Sequence, residues 1–131
     1  MREILFRGKR KDNAEWVYGN FVRGCVNDFA YIVEFGNKEL CRNYVEVIPS
    51  TVGQSTGLTD KHDKKIFKDD IVIMRTASCE VVGYISYSIK FARFVCMTES
   101  KISFPLDNTF EYDVIGNIHD NPRFIKGCVE E

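Results

Sequence analysis

The chain has 131 residues, with 18 Lys and Arg against 19 Asp and Glu, so its formal net charge is −1. That length is enough for one well-formed hydrophobic core and leaves no room for a second domain of full size. A net charge near zero removes the general electrostatic argument for a nucleic-acid or anionic-membrane partner.

Cysteine usage and the N-terminal sequence predict a reducing environment. The five cysteines are Cys25, Cys41, Cys79, Cys96 and Cys128, and they form no CxxC pair. Because an odd number does not suit a disulfide framework, we expect reduced and mostly buried thiols. The first ten residues lack the apolar region of a signal peptide, and no apolar run is long enough to span a bilayer. We therefore expect a cytoplasmic protein with no membrane partner.

Short apolar runs alternate with turn residues through the first fifty positions, without a sustained helical period. The predicted strands are Glu3–Gly8, Trp16–Val22, Tyr31–Phe35 and Tyr44–Ile48. Asp12-Asn13, Asn27-Asp28 and Gly36-Asn37 provide the turns between them, and Pro49 ends the last strand. This pattern predicts a mainly β protein in which residues 1–50 form an N-terminal antiparallel β-meander that opens with a hairpin.

The second half of the chain continues this pattern. Ile71–Met74 is apolar at consecutive positions, and its flanking loops favour a strand covered on both faces over a helix. Cys79–Ser88 and Phe91–Met97 are predicted to form a hairpin around Ser88-Ile89-Lys90. Near the C-terminus, Asn121-Pro122 predicts at most a short helix over Arg123–Lys126, ended by Gly127.

The clearest alternation of apolar and polar residues lies between Phe110 and His119. One face of the predicted strand carries Phe110, Tyr112, Val114, Gly116 and Ile118. A slip of one residue would bury Glu111 and Asp113 instead, so we expect this face to lie in the core.

Three motifs, spaced over nearly the whole chain, carry a family resemblance. The middle one contains Thr51-Val52-Gly53-Gln54, Thr56-Gly57-Leu58, Asp60-Lys61, Lys65-Ile66-Phe67 and Asp70-Ile71-Val72. The others are Tyr112–Ile118 followed by Asn121-Pro122, and the opening Arg2-Glu3-Ile4 with Phe6-Arg7. In these motifs the chain resembles the YopX family of small phage and prophage proteins.

The resemblance implies a β-rich protein with a small SH3-type β-barrel in its C-terminal part, residues 51–131, and it implies homo-oligomers. It implies no established activity, catalytic residue or cofactor. Val52–Val72 would then form the hinge between meander and barrel, with a soft boundary. The chain has Asp69 where the family usually has glycine, and His62-Asp63 where Asn-Gly is common. Positive φ at these turns would cost roughly 1 kcal/mol of strain.

The densest polar cluster in the sequence contains Asp60, His62, Asp63, Asp69 and Asp70. Carboxylates with a histidine are ligands of hard cations and transition metals, so a metal site is one interpretation. Four interleaved lysines oppose it, and the spacing lacks the calcium-loop pattern. Aspartate is also a normal turn residue. We therefore expect a structural turn and assign no metal ligand.

No enzyme motif occurs in the sequence. There is no Gly-x-Ser-x-Gly elbow, phosphate-binding glycine loop or dinucleotide fingerprint. The two histidines, His62 and His119, could pair with a distant cysteine as a nucleophile and base, but nothing local marks such a pair. We expect a protein that is not an enzyme, with no catalytic residues and no cofactor, and keep a dispersed Cys-His hydrolase as the most remote alternative.

The run Lys90–Val95 mixes aromatic and basic residues, as single-strand binding strands do. We expect Phe94 and Val95 in the core and Lys90 and Arg93 outward. Exposed strand edges and many aromatic residues favour self-association. The leading prediction is a protein that acts by protein-protein interaction and as a homo-oligomer. The alternative is a nucleic-acid-binding small β-barrel, whose contact residues the sequence leaves unknown.

Overall fold

Nearly all of the regular structure is β-strand. The computed structural model describes residues 4–24, 28–34 and 44–125. Within them the chain forms eleven strands and two short 3-10 turns. The prediction of a mainly β protein with little helix is confirmed. Neither helical turn in these ranges is long and apolar enough to cross a membrane.

The chain divides into two compact units, Met1–Ser55 and Thr56–Glu131. The change of unit falls within the segment predicted as the hinge, Val52–Val72. The predicted domains, 1–50 and 51–131, stay a prediction, because compactness does not show that either part folds alone.

Five strands begin in the first unit. They are β1 (Phe6–Lys9), β2 (Trp16–Arg23), β3 (Ala30–Glu34), β4 (Tyr44–Val47) and β5 (Gly53–Thr59). Consecutive strands pair antiparallel from β1 to β4, and Gly19 of β2 lies opposite Phe6 on one side and Glu34 on the other. The start of β5 returns beside β1. The predicted opening hairpin and antiparallel meander are confirmed.

The first unit buries a small apolar core and protects one edge of its sheet. The core residues are Val17, Ala30, Ile32, Val45 and Val47. At the outer edge of β4, the Lys11 amide donates to the Glu46 carbonyl at 3.0 Å, and the Ile48 amide donates to the Lys9 carbonyl at 2.9 Å. These two bonds pair part of one strand edge, whereas the sequence predicted exposed edges in general.

Six strands begin in the second unit. They are β6 (Lys65–Phe67), β7 (Asp70–Arg75), β8 (Glu80–Ser88), β9 (Arg93–Thr98), β10 (Ser103–Pro105) and β11 (Glu111–Asn117). One sheet has the order β4-β3-β2-β1-β5-β6 and the other β10-β9-β8-β7-β11.

Ile71, Val72 and Met74 are fully buried in β7, as predicted. The predicted hairpin is formed by β8 and β9.

The predicted alternation in β11 fails at Ile115. Val114 lies opposite Val72 and Gly116 opposite Ile71, so Ile115 is the extra residue of a β-bulge. Tyr112 is buried as predicted, but after the bulge Asn117 takes the buried side. The prediction is correct through Val114 and wrong for Gly116 and Ile118. One inserted residue makes every later side chain of the strand point to the opposite face of the sheet.

The described strands of the second sheet do not close into a barrel, since β10 and β11 remain at its two edges. The SH3-type barrel therefore stays a prediction. Pro122–Phe124 forms one 3-10 turn with proline at its start, which agrees with the predicted short helix. The remaining predicted features lie outside the described residues: Glu3, Cys25, Asn27, Phe35, Gly36-Asn37, Cys41, Lys126, Gly127 and Cys128.

Candidate functional site

The predicted polar cluster lies in the two turns that flank β6. In the parts of the chain that the structure describes, no three His, Cys, Asp or Glu side chains come together as metal ligands. The side chains of the cluster instead have separate structural roles.

Asp60 organises the first of these turns through its buried carboxylate. Its Oδ1 accepts hydrogen bonds from the backbone amides of His62 at 2.8 Å and Lys64 at 2.9 Å. Its Oδ2 accepts one from the Val114 amide in β11 at 3.1 Å. Burial raises the pKa of Asp60, but the three amide donors outweigh it and hold the pKa below its ordinary value. These bonds leave little capacity for binding a cation.

Asp69 and Asp70 fix the second turn. The Asp70 Oδ2 accepts a hydrogen bond from the Phe67 amide at 2.8 Å. Asp69 has φ 74° and lies 2.9 Å, Oδ2 to Nε2, from His119. Burial raises the pKa of Asp69, but the hydrogen bond with His119 and the charge of Lys68 lower it further than burial raises it. The predicted positive φ is confirmed here and at Asp63, where φ is 64°.

His62 contacts a carboxylate that the sequence did not single out. Its Nε2 lies 3.8 Å from Asp113 Oδ1, and Lys61 Nζ lies 3.9 Å from Asp113 Oδ2. Arg75 Nη2 approaches the same Oδ2 at 4.0 Å. Three basic groups thus surround one carboxylate at distances longer than direct hydrogen bonds, which is a surface charge network of small energetic value.

The two cysteines in the described ranges have unlike surroundings. Cys96 is fully buried in the hydrophobic core of the second unit. Burial raises the pKa of its thiol to about 11. It is therefore protonated at neutral pH and a poor nucleophile. Cys79 is exposed, with its Sγ 3.4 Å from the Thr76 hydroxyl. Both are free thiols, and the prediction that there is no catalytic residue stays a prediction.

The most conspicuous surface of the second unit is the tip of the β8–β9 hairpin. Ile89 is 89% exposed and Phe91 is 64% exposed. Tyr87, at the end of β8, is also exposed, and its ring packs edge-on against Phe94 at 5.1 Å. The four-residue turn therefore presents large apolar side chains to solvent at the end of two paired strands.

Local interactions explain the shape of this tip. The Ser88 hydroxyl accepts a hydrogen bond from the Phe91 amide at 3.2 Å, and Ala92 has φ 53°. Lys90 lies over the Phe91 ring, with Nζ 5.4 Å from its centroid. A β-turn held in this way keeps Phe91 away from its own core.

The aromatic and basic run Lys90–Val95, for which nucleic-acid binding was the less favoured interpretation, is divided by the turn. Val95 is buried and Phe94 packs against the core, as predicted. Lys90 and Arg93 point outward, also as predicted, and Arg93 donates to the Leu106 carbonyl at 3.3 Å. Phe91 is at the tip and not on a strand face. The run therefore does not form a flat platform of aromatic rings.

A shallow groove of about 500 Å³ lies along the edge of β11, between Thr59–Lys61 and Asn108–Tyr112. Asp60 lines it but already accepts three backbone hydrogen bonds. The groove is wide open and its polar groups do not converge on one point, so it is a weaker candidate than the hairpin tip.

Sequence reasoning missed two features of these surfaces. His119 was considered only as a partner for cysteine, whereas it pairs with Asp69. Ile89 was treated only as a turn residue, although an isoleucine between serine and lysine at a hairpin tip is an unusual choice for a turn. The unusual isoleucine in this turn could have been recognised from the sequence.

Comparison with known proteins gives a family and a fold. A family model described as "YopX protein" matches residues 5–126. No curated protein matches the chain. The crystal structure of protein EF1440 from Enterococcus faecalis is similar, with a TM-score of 0.55 and 21% sequence identity over 96% of this chain and 100% of that one. At this identity the likeness concerns the fold alone.

Proposed function

The chain belongs to the YopX family, and from this membership and its exposed hairpin tip we propose that it acts by binding proteins, beginning with a second copy of itself. In this proposal the protein is cytoplasmic, of phage or prophage origin, and not an enzyme. We further propose that the C-terminal part, residues 51–131, is a small SH3-type β-barrel.

One observation carries the proposal: Ile89 and Phe91 are mostly exposed at the end of the β8–β9 hairpin. Burying a large apolar side chain contributes about 1.5–3 kcal/mol, so two tips that bury four such side chains contribute roughly 6–12 kcal/mol. Association costs about 4–15 kcal/mol in lost freedom of motion. The balance supports a weak, concentration-dependent dimer, which a further protein partner could replace at the same surface.

Light scattering during size-exclusion chromatography tests the proposal over a range from low to high micromolar concentration. We expect the mass of the wild-type protein to rise toward that of a dimer. The double variant Ile89→Asp, Phe91→Asp should remain a monomer, because each dimer would bury charge at its centre. Ile102→Asp is the matched control, since Ile102 is 54% exposed in the same unit but lies in another turn.

Each contrary result has a distinct meaning. A wild-type monomer at high micromolar concentration would refute self-association. A double variant that still forms dimers would show that the tip is not the contact surface. Circular dichroism of both variants verifies that the fold is retained.

A further inference from the structure

The two faces of the sheet in the first unit differ in composition. Along β2, β3 and β4, alternate residues such as Val17, Ile32 and Val45 point into the core. The opposite, outer face carries an aromatic ring on each of these strands: Trp16, Tyr18, Tyr31 and Tyr44. Tyr18 is 44% exposed and Tyr44 is 53% exposed. These rings are not needed to fill the core beneath them.

Basic side chains accompany the rings. Arg7 is itself buried and lies over the Trp16 ring, with Cζ 4.5 Å from its centroid. Lys9, which is partly exposed, lies over the same ring at 5.8 Å. Lys11 lies 5.2 Å from the centroid of Phe29, which is itself 43% exposed. Arg23 lies over the Phe21 ring at 5.8 Å as well, so the described part of the first unit holds four such contacts, whereas proteins contain about one significant cation–π pair per 70–80 residues.

The spacing of the exposed rings suits a short polymer. Asn20 lies opposite Val33, and Val33 opposite Tyr44, so β3 separates Tyr44 from the strand that carries Tyr18. With about 4.8 Å between strands and about 3.3 Å per residue, the Cα atoms of Tyr18 and Tyr44 lie roughly 12 Å apart. Stacked nucleotides advance about 3.4 Å along a strand, so this distance spans roughly three of them.

We propose that this outer face binds single-stranded nucleic acid, with bases stacked on Tyr18 and Tyr44 and a phosphate beside Lys9. Stacked rings with nearby cations are how single strands are held without sequence specificity. Lysine is depleted at protein interfaces, so Lys9 and Lys11 beside the rings favour nucleic acid over a protein partner. The proposal goes beyond self-association through the hairpin tip and uses a different surface.

Charge on this face limits what the phosphates contribute. Lys11 pairs with Glu46 at 3.2 Å, so one of the cations beside the rings already has an acidic partner. Stacking therefore supplies most of the affinity, and binding should weaken only modestly as salt is added. Duplex DNA, whose bases are not available for stacking, should bind much more weakly.

Trp16 is the single tryptophan of the chain and lies on the proposed face, so its fluorescence reports binding there. The probes are oligothymidylate, oligouridylate and a duplex of equal length, titrated at two salt concentrations. The protein should carry Ile89→Asp and Phe91→Asp, so that self-association cannot change the signal. We expect a saturable change with the single strands and little with the duplex.

Variants locate the contact. Tyr18→Ala and Tyr44→Ala should each weaken binding of the single strands by about tenfold, which follows from roughly 1–3 kcal/mol per stacked base. Tyr87→Ala, which removes an exposed tyrosine from the second unit, should leave the affinity unchanged.

Three results would overturn the proposal. One is the absence of any single-strand binding at the lower salt concentration. Another is binding that Tyr18→Ala and Tyr44→Ala leave undiminished. The third is a Trp16 signal that responds to protein concentration but not to oligonucleotide, which would make the face a protein interface. None of these results bears on the mass of the wild-type protein, so the two proposals fail separately.

Discussion

Asp60 illustrates, at the scale of single residues, how a residue type suited to metal binding can serve the backbone instead. Its three amide donors come from two turn residues and from β11, so one carboxylate joins a turn to a strand. A buried carboxylate satisfied in this way is worth more to stability than a surface ion pair.

Asp60→Asn should destabilise the protein by about 1–3 kcal/mol. The amide group keeps one oxygen for two of the donors but places an NH2 group against the Val114 amide, which leaves a buried donor unpaired. Urea denaturation measures the loss. Asp63→Asn is the control, because this exposed neighbour has φ 64° and asparagine tolerates that conformation equally well. Equal stability of the two variants would contradict this account.

Asp69 explains how the chain tolerates a departure from the usual family glycine. Its φ of 74° strains any residue with a Cβ, but its carboxylate is within hydrogen-bonding distance of His119 and Lys68. These contacts offset a strain of about 1 kcal/mol. The sequence indicated the strain, whereas the compensation comes from His119, fifty positions away in the chain.

At the scale of elements, strand edges are better protected than the sequence indicated. Residues 9–11 cover part of the outer edge of β4. The turn after β5 covers part of β11, because the Lys61 amide donates to the Tyr112 carbonyl at 3.0 Å and Asp60 accepts from Val114. β10 has only three residues and ends in proline, which makes this edge of the sheet less able to pair with another strand. Association through side chains at the hairpin tip is therefore better supported than association through edges.

Close packing of the central hairpin predicts a severe effect of Gly83→Ala in β8. A Cβ at this position would lie 2.7 Å from Cys96 Sγ and 2.7 Å from the Met97 carbonyl oxygen in β9. Because a backbone atom cannot move aside cheaply, we expect a loss of about 2–3 kcal/mol. Thermal or urea unfolding measures it.

Ser86→Ala in the same strand is the control for Gly83→Ala and should change stability by less than about 0.5 kcal/mol. A Gly83→Ala protein as stable as this control would show that the two strands separate more easily than their packing indicates.

At the scale of the whole molecule, titrating groups define a range of pH in which the protein is most stable. The pKa values of Asp60 and Asp69 are lowered in the folded state, so their contribution is present above the unfolded pKa of about 3.9 and is lost as pH falls below it. Burial raises the pKa of Cys96 to about 11, so its contribution is present below the ordinary thiol value and is lost as pH rises toward 11.

Melting temperatures measured across this range should form a plateau near neutral pH, fall below about pH 4 and fall again above about pH 9. Asp60→Asn should flatten the acid side, because one of the responsible carboxylates is gone. Cys96→Val should flatten the alkaline side. A melting temperature that rises on acidification would contradict the assignment of these two aspartates.

The sequence by itself determined the family, the β class, the order of most strands and two of the turns that need positive φ, at Asp63 and Asp69, because these depend on local periodicity, turn chemistry and motif spacing. Only the tertiary structure decided the bulge at Ile115, the partners of Asp60 and His119, the protection of edges and the exposure of Ile89 and Phe91. Each of these depends on strands distant in sequence meeting in a particular register, which local patterns do not encode. The aromatic outer face of the first unit belongs to the same class, since its rings are brought together from three strands.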